Sequence, residues 1–145
     1  MSRLRVFVSS VQKELESERL AVVQLVSTDS FLSAHCEPVL YELLPASPQK
    51  AVEDCLDVLR TCEIYLCIIY QAYGSKVGKL SITHQEYRGA KAKKMDILAY
   101  IKDSQDTQRE AGTQGFFDEI RKDGFKYKRF ATYPDLQREV RTSLL

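Results

Sequence analysis

With 145 residues, of which 44% are hydrophobic and 28% charged, the chain can bury the core of one globular domain, and this excludes a disordered or fibrous protein. A net charge of +1 excludes attraction of the whole surface to nucleic acid or membrane, so such binding needs a local patch. Because the chain has neither the apolar core of a signal peptide nor an apolar run of about 18 residues, we expect a cytoplasmic protein that contacts no membrane.

The first two strand patterns differ in strength. Leu4–Ser9 is rich in β-branched and aromatic residues and predicts a strand. A helix over 11–28 follows, and the hydroxyls of Ser9 and Ser10 suit its N-cap. The segment Ala34–Tyr41 predicts a weaker strand, and its Pro38, which cannot donate to a β-ladder, favours the edge of a sheet.

The middle of the chain contains the most apolar strand candidate. A helix is predicted over 47–61, because Ser-Pro at its start supplies a cap followed by Pro48 at the first helical position. Ile64–Tyr70 is apolar on both faces, as a central parallel strand is. A loop over 71–80 then leads to a helix over 83–94.

The last third repeats the alternation. Ile97–Ile101 predicts another apolar strand, a helix over 113–123 follows, 126–131 predicts a more polar strand, and 134–144 predicts a final amphipathic helix. Five β-α units in strict alternation predict a parallel sheet with helices on both faces and right-handed crossovers.

The fold class is therefore α/β, a three-layer, flavodoxin-like arrangement around a five-stranded parallel sheet with the order 2-1-3-4-5. This order places the most apolar strands inside, and it puts the strands that contain Pro38 and Lys126 at the two edges. We expect residues 1–145 to form a single domain. Because the chain stops after an apolar helix, we also expect it to be one module of a longer protein.

The four cysteines predict free thiols, because they show neither C-x-x-C spacing nor the density of a secreted disulfide scaffold. Cys55 and Cys67 fall at inward positions of a helix and a strand, so we expect both to be buried core residues. His35 and Cys36 are adjacent soft ligands, but no further His or Cys follows at zinc spacing. The sequence predicts no metal site.

Ligands of such sheets bind beyond the carboxyl ends of the strands at the topological switch, which here lies between the first and third strands. Glu86 follows that edge and is the candidate catalytic residue. The candidate ligand-binding residues at the same edge are Ser9, Ser10, Tyr70, Tyr73, Gly74, Ser81 and Thr83. Backbone N–H groups at the two helix starts suit phosphate. We therefore expect no resident cofactor but a ligand that carries phosphate.

Glu86 also has a structural interpretation. Thr83 and Glu86 stand at the spacing of a capping box, in which each side chain satisfies a backbone N–H group of the other residue. A carboxylate that faces the cleft favours chemistry, whereas one that folds back onto the N–H of Thr83 favours a helix cap. Both interpretations remain open at this point.

A family resemblance rests on several short motifs spread over nearly the whole chain. They are Val6–Ser10, Glu14-Leu15, Glu18-Arg19, Cys62–Tyr65, Tyr73-Gly74, Ser81-x-Thr83-x-x-Glu86-Tyr87 and Ala90. With these motifs the chain resembles domain of unknown function 4062. The resemblance places it in a broad flavodoxin-like group with Toll/interleukin-1-receptor-like domains and nucleoside deoxyribosyltransferases. In active members of that group, the glutamate at the position of Glu86 attacks or stabilises the anomeric carbon of a ribosyl group.

Members of this family usually lie at the N-terminus of larger proteins, including RecG-helicase-related, AlbA-type ATP-binding proteins. The resemblance therefore implies that the chain is an N-terminal interaction or ligand-sensing accessory domain of a larger ATP-dependent protein. The partners that it implies are C-terminal NTPase or helicase-like domains of the same polypeptide, or other proteins. The alternative is a nucleotide or NAD N-glycosidase that uses Glu86 and takes a nucleotide or NAD-like ligand. The Gly-rich phosphate-binding motifs of ATPases are missing from the sequence, so we do not expect this chain to hydrolyse ATP. The family often has glycine where this chain has Tyr70, whose ring can fill the pocket.

A third alternative is a nucleic-acid-binding adaptor. The candidate residues for this contact are Arg121, Lys122, Lys126, Lys128 and Arg129. Phe125, Tyr127 and Phe130 are interleaved with them, a pattern that suits stacking on single-stranded nucleic acid. Lysines on an edge strand also serve to block aggregation, which is the structural interpretation of the same residues.

Overall fold

The computed structural model describes residues 3–11, 13–103 and 108–145. Its strands are β1 (Leu4–Ser9), β2 (Cys36–Val39), β3 (Ile64–Ile69), β4 (Lys76–Val77), β5 (Leu80–Ser81), β6 (Asp96–Lys102) and β7 (Tyr127–Phe130). Its helices are α1 (Glu16–Thr28), α2 (Ser30–His35), α3 (Ala51–Arg60), α4 (Ile82–Lys93), α5 (Ala111–Lys122) and α6 (Tyr133–Leu144), with a 3-10 turn at Tyr41–Leu43.

Five strands form one parallel sheet in the order β2-β1-β3-β6-β7, with helices on both faces. The predicted three-layer α/β fold and its strand order are thereby confirmed, and the arrangement is consistent with a flavodoxin-like fold. The strand that contains Pro38 lies at one edge and β7 lies at the other, as predicted. β4 and β5 form a separate antiparallel hairpin, most of which lies in the segment 71–80 that was predicted as a loop.

The two faces of the central sheet carry separate cores because strand side chains alternate in direction. Phe7 and Tyr65 belong to the core on one face, here called the front face, which α3, α4 and α5 cover. Val8 and Leu66 belong to the core on the back face, which α1, α2 and α6 cover. All of β3 is buried, which explains why its sequence is apolar without interruption.

Helix starts were predicted less well than strands. α3 begins at Ala51 and not at Ser47, because the hydroxyl of Ser47 instead accepts the N–H of Gln49 in a turn (3.2 Å). α1 begins at Glu16 and not at residue 11, and Leu15 precedes it without a side-chain cap. The hydroxyls of Ser9 and Ser10 are thus free of a capping role there.

α2 was not predicted. It shortens the weak second strand to four residues, and Asp29 caps it by accepting the N–H groups of Phe31 and Leu32, each at 3.0 Å. Its length of six residues gives too few positions for a helical pattern to be recognised in the sequence.

All four cysteines are buried free thiols, including Cys55 and Cys67 as predicted. In the described part of the chain, every helix is too short or too polar to span a bilayer.

Candidate functional site

The carboxylate of Glu86 is buried on the front face and contacts the end of β1. Ser9 Oγ donates a hydrogen bond to Glu86 Oε1 over 2.7 Å. The thiol of Cys55 on α3 donates to the other oxygen, Glu86 Oε2. Behind Ser9, the hydroxyl of Tyr65 on β3 donates to Ser9 Oγ over 3.0 Å. Side chains of β1, β3 and α3 therefore converge on one carboxylate of α4.

The capping-box interpretation of Glu86 is wrong. The N-cap of α4 is Ser81, which has extended backbone angles (φ −66°, ψ 158°) and whose Oγ accepts the N–H of His84 over 3.1 Å. Thr83 already lies within the helix, and an N-cap residue requires a non-helical backbone. Glu86 directs its carboxylate to Ser9 and Cys55 instead.

Burial dominates the electrostatics of Glu86, whose residue surface is only 5% exposed. Loss of solvent raises the pKa of Glu86, and this effect outweighs the opposing hydrogen bonds from Cys55 and Ser9 and the charge of Arg19. Carboxylates with such shifted pKa values cluster at functional sites, although structural networks produce them too. The site combines a buried acid with donors on both of its oxygens.

Ser10 takes part in a neighbouring ion pair. Arg19 is 2% exposed and donates two hydrogen bonds to the carboxylate of Glu42, at 2.7 Å and 2.5 Å. A third Arg19 hydrogen bond reaches Ser10 Oγ over 2.9 Å. Burial raises the pKa of Glu42, but the hydrogen bonds and charge of Arg19 outweigh it, so that this pKa is lowered overall. The guanidinium of Arg19 fixes the chain just beyond β1.

Carboxylates fix the loop that follows β3. Glu14 accepts the N–H groups of Gln71 and Ala72 over 3.0 Å and 2.9 Å. Glu110 accepts the N–H of Tyr73 over 2.5 Å. Three consecutive backbone N–H groups at the carboxyl end of the central strand are thus satisfied by side chains that are distant in sequence. Neither Glu14 nor Glu110 was identified as a site residue from the sequence.

Two further candidate residues of this loop have different surroundings. Gly74 has φ +89°, and a Cβ atom there would lie 3.1 Å from Val11 Cγ2, so the loops after β1 and β3 are in close contact. Tyr70 packs against the back-face core, and the Lys102 ammonium lies 4.7 Å from its ring centre. The ring of Tyr70 therefore lies on the face of the sheet opposite to Glu86.

Tyr73 and His84 form a second buried network. The Tyr73 hydroxyl and His84 Nδ1 are 2.6 Å apart, and His84 Nε2 lies 3.1 Å from Glu119 Oε1. The His84 ring stacks on Phe116 with a centroid distance of 4.4 Å. Burial lowers the pKa of His84, and the hydrogen bond to Glu119 offsets only part of this effect. These bonds connect the loop after β3 to α5 rather than to Glu86.

The basic segment, residues 121–130, exposes its charged groups, whereas its rings are buried or half-buried. Lys122, Lys126, Lys128 and Arg129 are exposed, and so is Arg121, which pairs with Asp118. Phe130 is buried, however, and the ring of Tyr127 packs edge-on against Phe117 at a centroid distance of 4.9 Å. The aromatic side chains that would stack on bases are thus engaged in the fold.

Sequence reasoning placed Ser9 and Glu86 at one edge of the sheet but missed that Cys55 and Tyr65 complete the site. Their inward positions on α3 and β3 were readable from the apolar patterns. Which polar group each would meet depends on tertiary packing, and a single sequence does not contain that information. Across residues 3–11, 13–103 and 108–145, no group of three or more His, Cys, Asp or Glu side chains could hold a metal ion.

A family model described as domain of unknown function, DUF4062, matches residues 5–145. The chain belongs to the DUF4062 family. The solved structure of the CMP N-glycosidase BcmB from Clostridium botulinum is similar to this DUF4062 chain, with a TM-score of 0.58 and 16% identity, over 95% of this chain and 98% of that one. At this identity the similarity shows a shared fold. No curated protein sequence matches this DUF4062 chain.

Proposed function

We propose that this domain binds a ribonucleotide at the Glu86 site and hydrolyses its N-glycosidic bond. One observation carries the proposal: the Glu86 carboxylate contacts the end of β1 through Ser9, at the switch point where sheets of this order bind ligands. The fold that the chain shares with a CMP N-glycosidase, over almost the full length of both chains, supports the same class of reaction.

Cleavage of an N-glycosidic bond requires a carboxylate beside the anomeric carbon. As the bond between C1′ and the base nitrogen breaks, its electron pair leaves with the base, and C1′ acquires positive charge. Glu86 stabilises that charge, a water oxygen then bonds to C1′, and the proton released by the water neutralises the base. Buried surroundings strengthen the interaction of a carboxylate with a developing cation. In this proposal Ser9 orients the carboxylate, and the loop at Tyr73 and Gly74 borders the ligand.

The test measures release of free base from CMP, UMP, AMP and NAD by chromatography, with wild-type protein and Glu86→Gln. We expect turnover by the wild type and a loss of about 100-fold or more in kcat for Glu86→Gln, the scale on which catalytic groups act. Glu53→Gln, an exposed carboxylate on α3, is the matched control and should retain activity. Absent turnover in the wild type would refute hydrolysis, and equal turnover in wild type and Glu86→Gln would refute the role of Glu86.

A second candidate is a ligand-sensing accessory domain of a larger ATP-dependent protein, whose partners would be C-terminal NTPase or helicase-like domains. The observation that favours it is the closure of the site, because Glu86 is 5% exposed and both of its oxygens already accept hydrogen bonds. Such a site can bind a nucleotide without turnover if the ligand replaces these bonds.

Isothermal titration with the same nucleotides separates the two candidates. Binding that Glu86→Gln weakens, without release of base, supports sensing. Release of base supports hydrolysis. A wild-type protein that neither binds nor cleaves any nucleotide of the panel contradicts both.

A further inference from the structure

Hydrogen bonds run in one direction toward the Glu86 carboxylate. Tyr65 donates its only hydroxyl hydrogen to Ser9 Oγ, and Ser9 in turn donates to Glu86 Oε1. Because a serine hydroxyl carries one hydrogen, the bond from Tyr65 to the oxygen of Ser9 leaves that hydrogen for Glu86. The chain of donors ends on an oxygen that can only accept.

The thiol of Cys55 completes the arrangement at the other oxygen of Glu86. Burial, together with the charge and hydrogen bond of Glu86, raises the pKa of the Cys55 thiol well above its usual range. The thiol therefore stays protonated and serves as a hydrogen-bond donor. It is not a nucleophile, because a nucleophilic cysteine needs a lowered pKa. Both oxygens of Glu86 thus face donors, and this favours the ionised carboxylate over the protonated acid.

We propose that Cys55 and Tyr65 are positioning residues that hold the Glu86 carboxylate in one orientation and oppose the protonation that burial favours. As a statement about catalysis, this inference rests on the proposed function. As a statement about the ionisation of Glu86, it stands on the contacts alone. The alternative to this inference is a packing role. In that case Cys55 would only fill space between α3 and the sheet, and the hydroxyl of Tyr65 would be dispensable.

The experiment compares Cys55→Ala, Cys55→Ser and Tyr65→Phe with wild-type protein. Carboxyl 13C NMR follows the pH titration of Glu86, whose signal is assigned by its loss in Glu86→Gln. The matched controls are Cys36→Ala, a buried thiol on β2, and Tyr100→Phe, a buried phenol that donates to Ser143. Thermal unfolding verifies that each variant is folded.

We expect the titration midpoint of Glu86 to rise in both Cys55→Ala and Tyr65→Phe. The first change removes a donor to Glu86, and the second removes the hydrogen bond that orients the Ser9 donor. Cys55→Ser keeps a donor and should stay close to the wild type, and both controls should match it. If CMP is cleaved, kcat/KM of Cys55→Ala on the acidic side should fall about tenfold, the effect of one hydrogen bond to a charged group, and recover at higher pH.

Unchanged Glu86 midpoints in folded Cys55→Ala and Tyr65→Phe would overturn the inference. So would equal shifts in the two control variants, because they would point to a general loss of packing. The NMR titration needs no substrate. Absence of turnover therefore counts against the proposed hydrolysis and leaves the positioning of Glu86 to be judged from the titration.

Discussion

Ser9 and Glu86 lie 77 residues apart in the sequence, and a hydrogen bond of 2.7 Å joins their side chains inside the folded domain. The bond links the last residue of β1 to the second turn of α4 and closes the front face over the end of the sheet. Ser9 is 1% exposed, so each of its polar contacts is made without competition from water.

Ser9→Ala should lower the free energy of unfolding by about 1–3 kcal/mol, because it removes a donor from Glu86 and leaves the Tyr65 hydroxyl without its acceptor. Urea unfolding at neutral pH measures the loss. Thr142→Ala, a hydroxyl on the exposed side of α6, should change the unfolding midpoint very little. Similar losses in the two variants would mean that the Ser9 hydroxyl has no special role.

Glu86→Gln should gain stability relative to the wild type as the pH rises. Burial raises the pKa of folded Glu86 above 4.5, its ordinary value, so the folded wild type binds the proton more tightly than the unfolded chain does. The resulting stability is present below about pH 4.5 and is lost as the pH rises through the raised pKa. Urea unfolding across this window measures the difference between the two proteins, and a difference independent of pH would contradict the prediction.

Breaking the Arg19–Glu42 pair should be costly. Glu42→Ala leaves the 2% exposed Arg19 with Ser10 as its remaining partner, and we expect a loss of about 3 kcal/mol in the free energy of unfolding. Arg19→Met combined with Glu42→Ala should restore part of it, because no unpaired charge stays buried. A double-mutant cycle measures the coupling. The solvent-exposed pair of Arg138 with Asp135 is the control and should show almost none.

His84 should make the domain less stable in mild acid. Burial lowers the pKa of folded His84 below 6.5, so the unfolded chain binds the proton more readily, and stability is lost as the pH falls from about 6.5 through the lowered pKa. In His84→Gln this loss is absent. The stability advantage of the wild type over the variant should therefore shrink on acidification, as measured by urea unfolding between about pH 5 and pH 7.5. An advantage that stays constant or grows would contradict it.

The strands and their order could be predicted because burial on both faces leaves a continuous apolar run, as in β3. The starts of helices were harder to predict from the sequence, since a hydroxyl near a helix has several possible hydrogen-bond partners. Ser47 satisfies a turn and Ser81, two residues before the predicted cap Thr83, satisfies α4. The choice between such neighbours depends on backbone angles that tertiary packing sets.

The location of the site could be predicted from the sequence, but the set of side chains that contact Glu86 could not. The topology brings Ser9 and Glu86 to one edge of the sheet, and the sequence supports that inference. The contact of Cys55 with Glu86 depends on how α3 packs beside α4, and Tyr65 reaches Ser9 because β1 and β3 pair in a fixed register. Sequence patterns predict which side of an element faces inward, whereas the polar group it meets there follows from packing.

The long sequence separations within the Glu86 site carry a consequence for folding. Glu86 is separated in sequence by 77 residues from Ser9 and by 31 from Cys55, and Ser9 is separated by 56 from Tyr65. Closing loops of this length costs entropy before any contact forms, so the four side chains come together only as β1, α3, β3 and α4 pack against one another. The titration of Glu86 is thus a reporter of whether β1, α3, β3 and α4 have packed together.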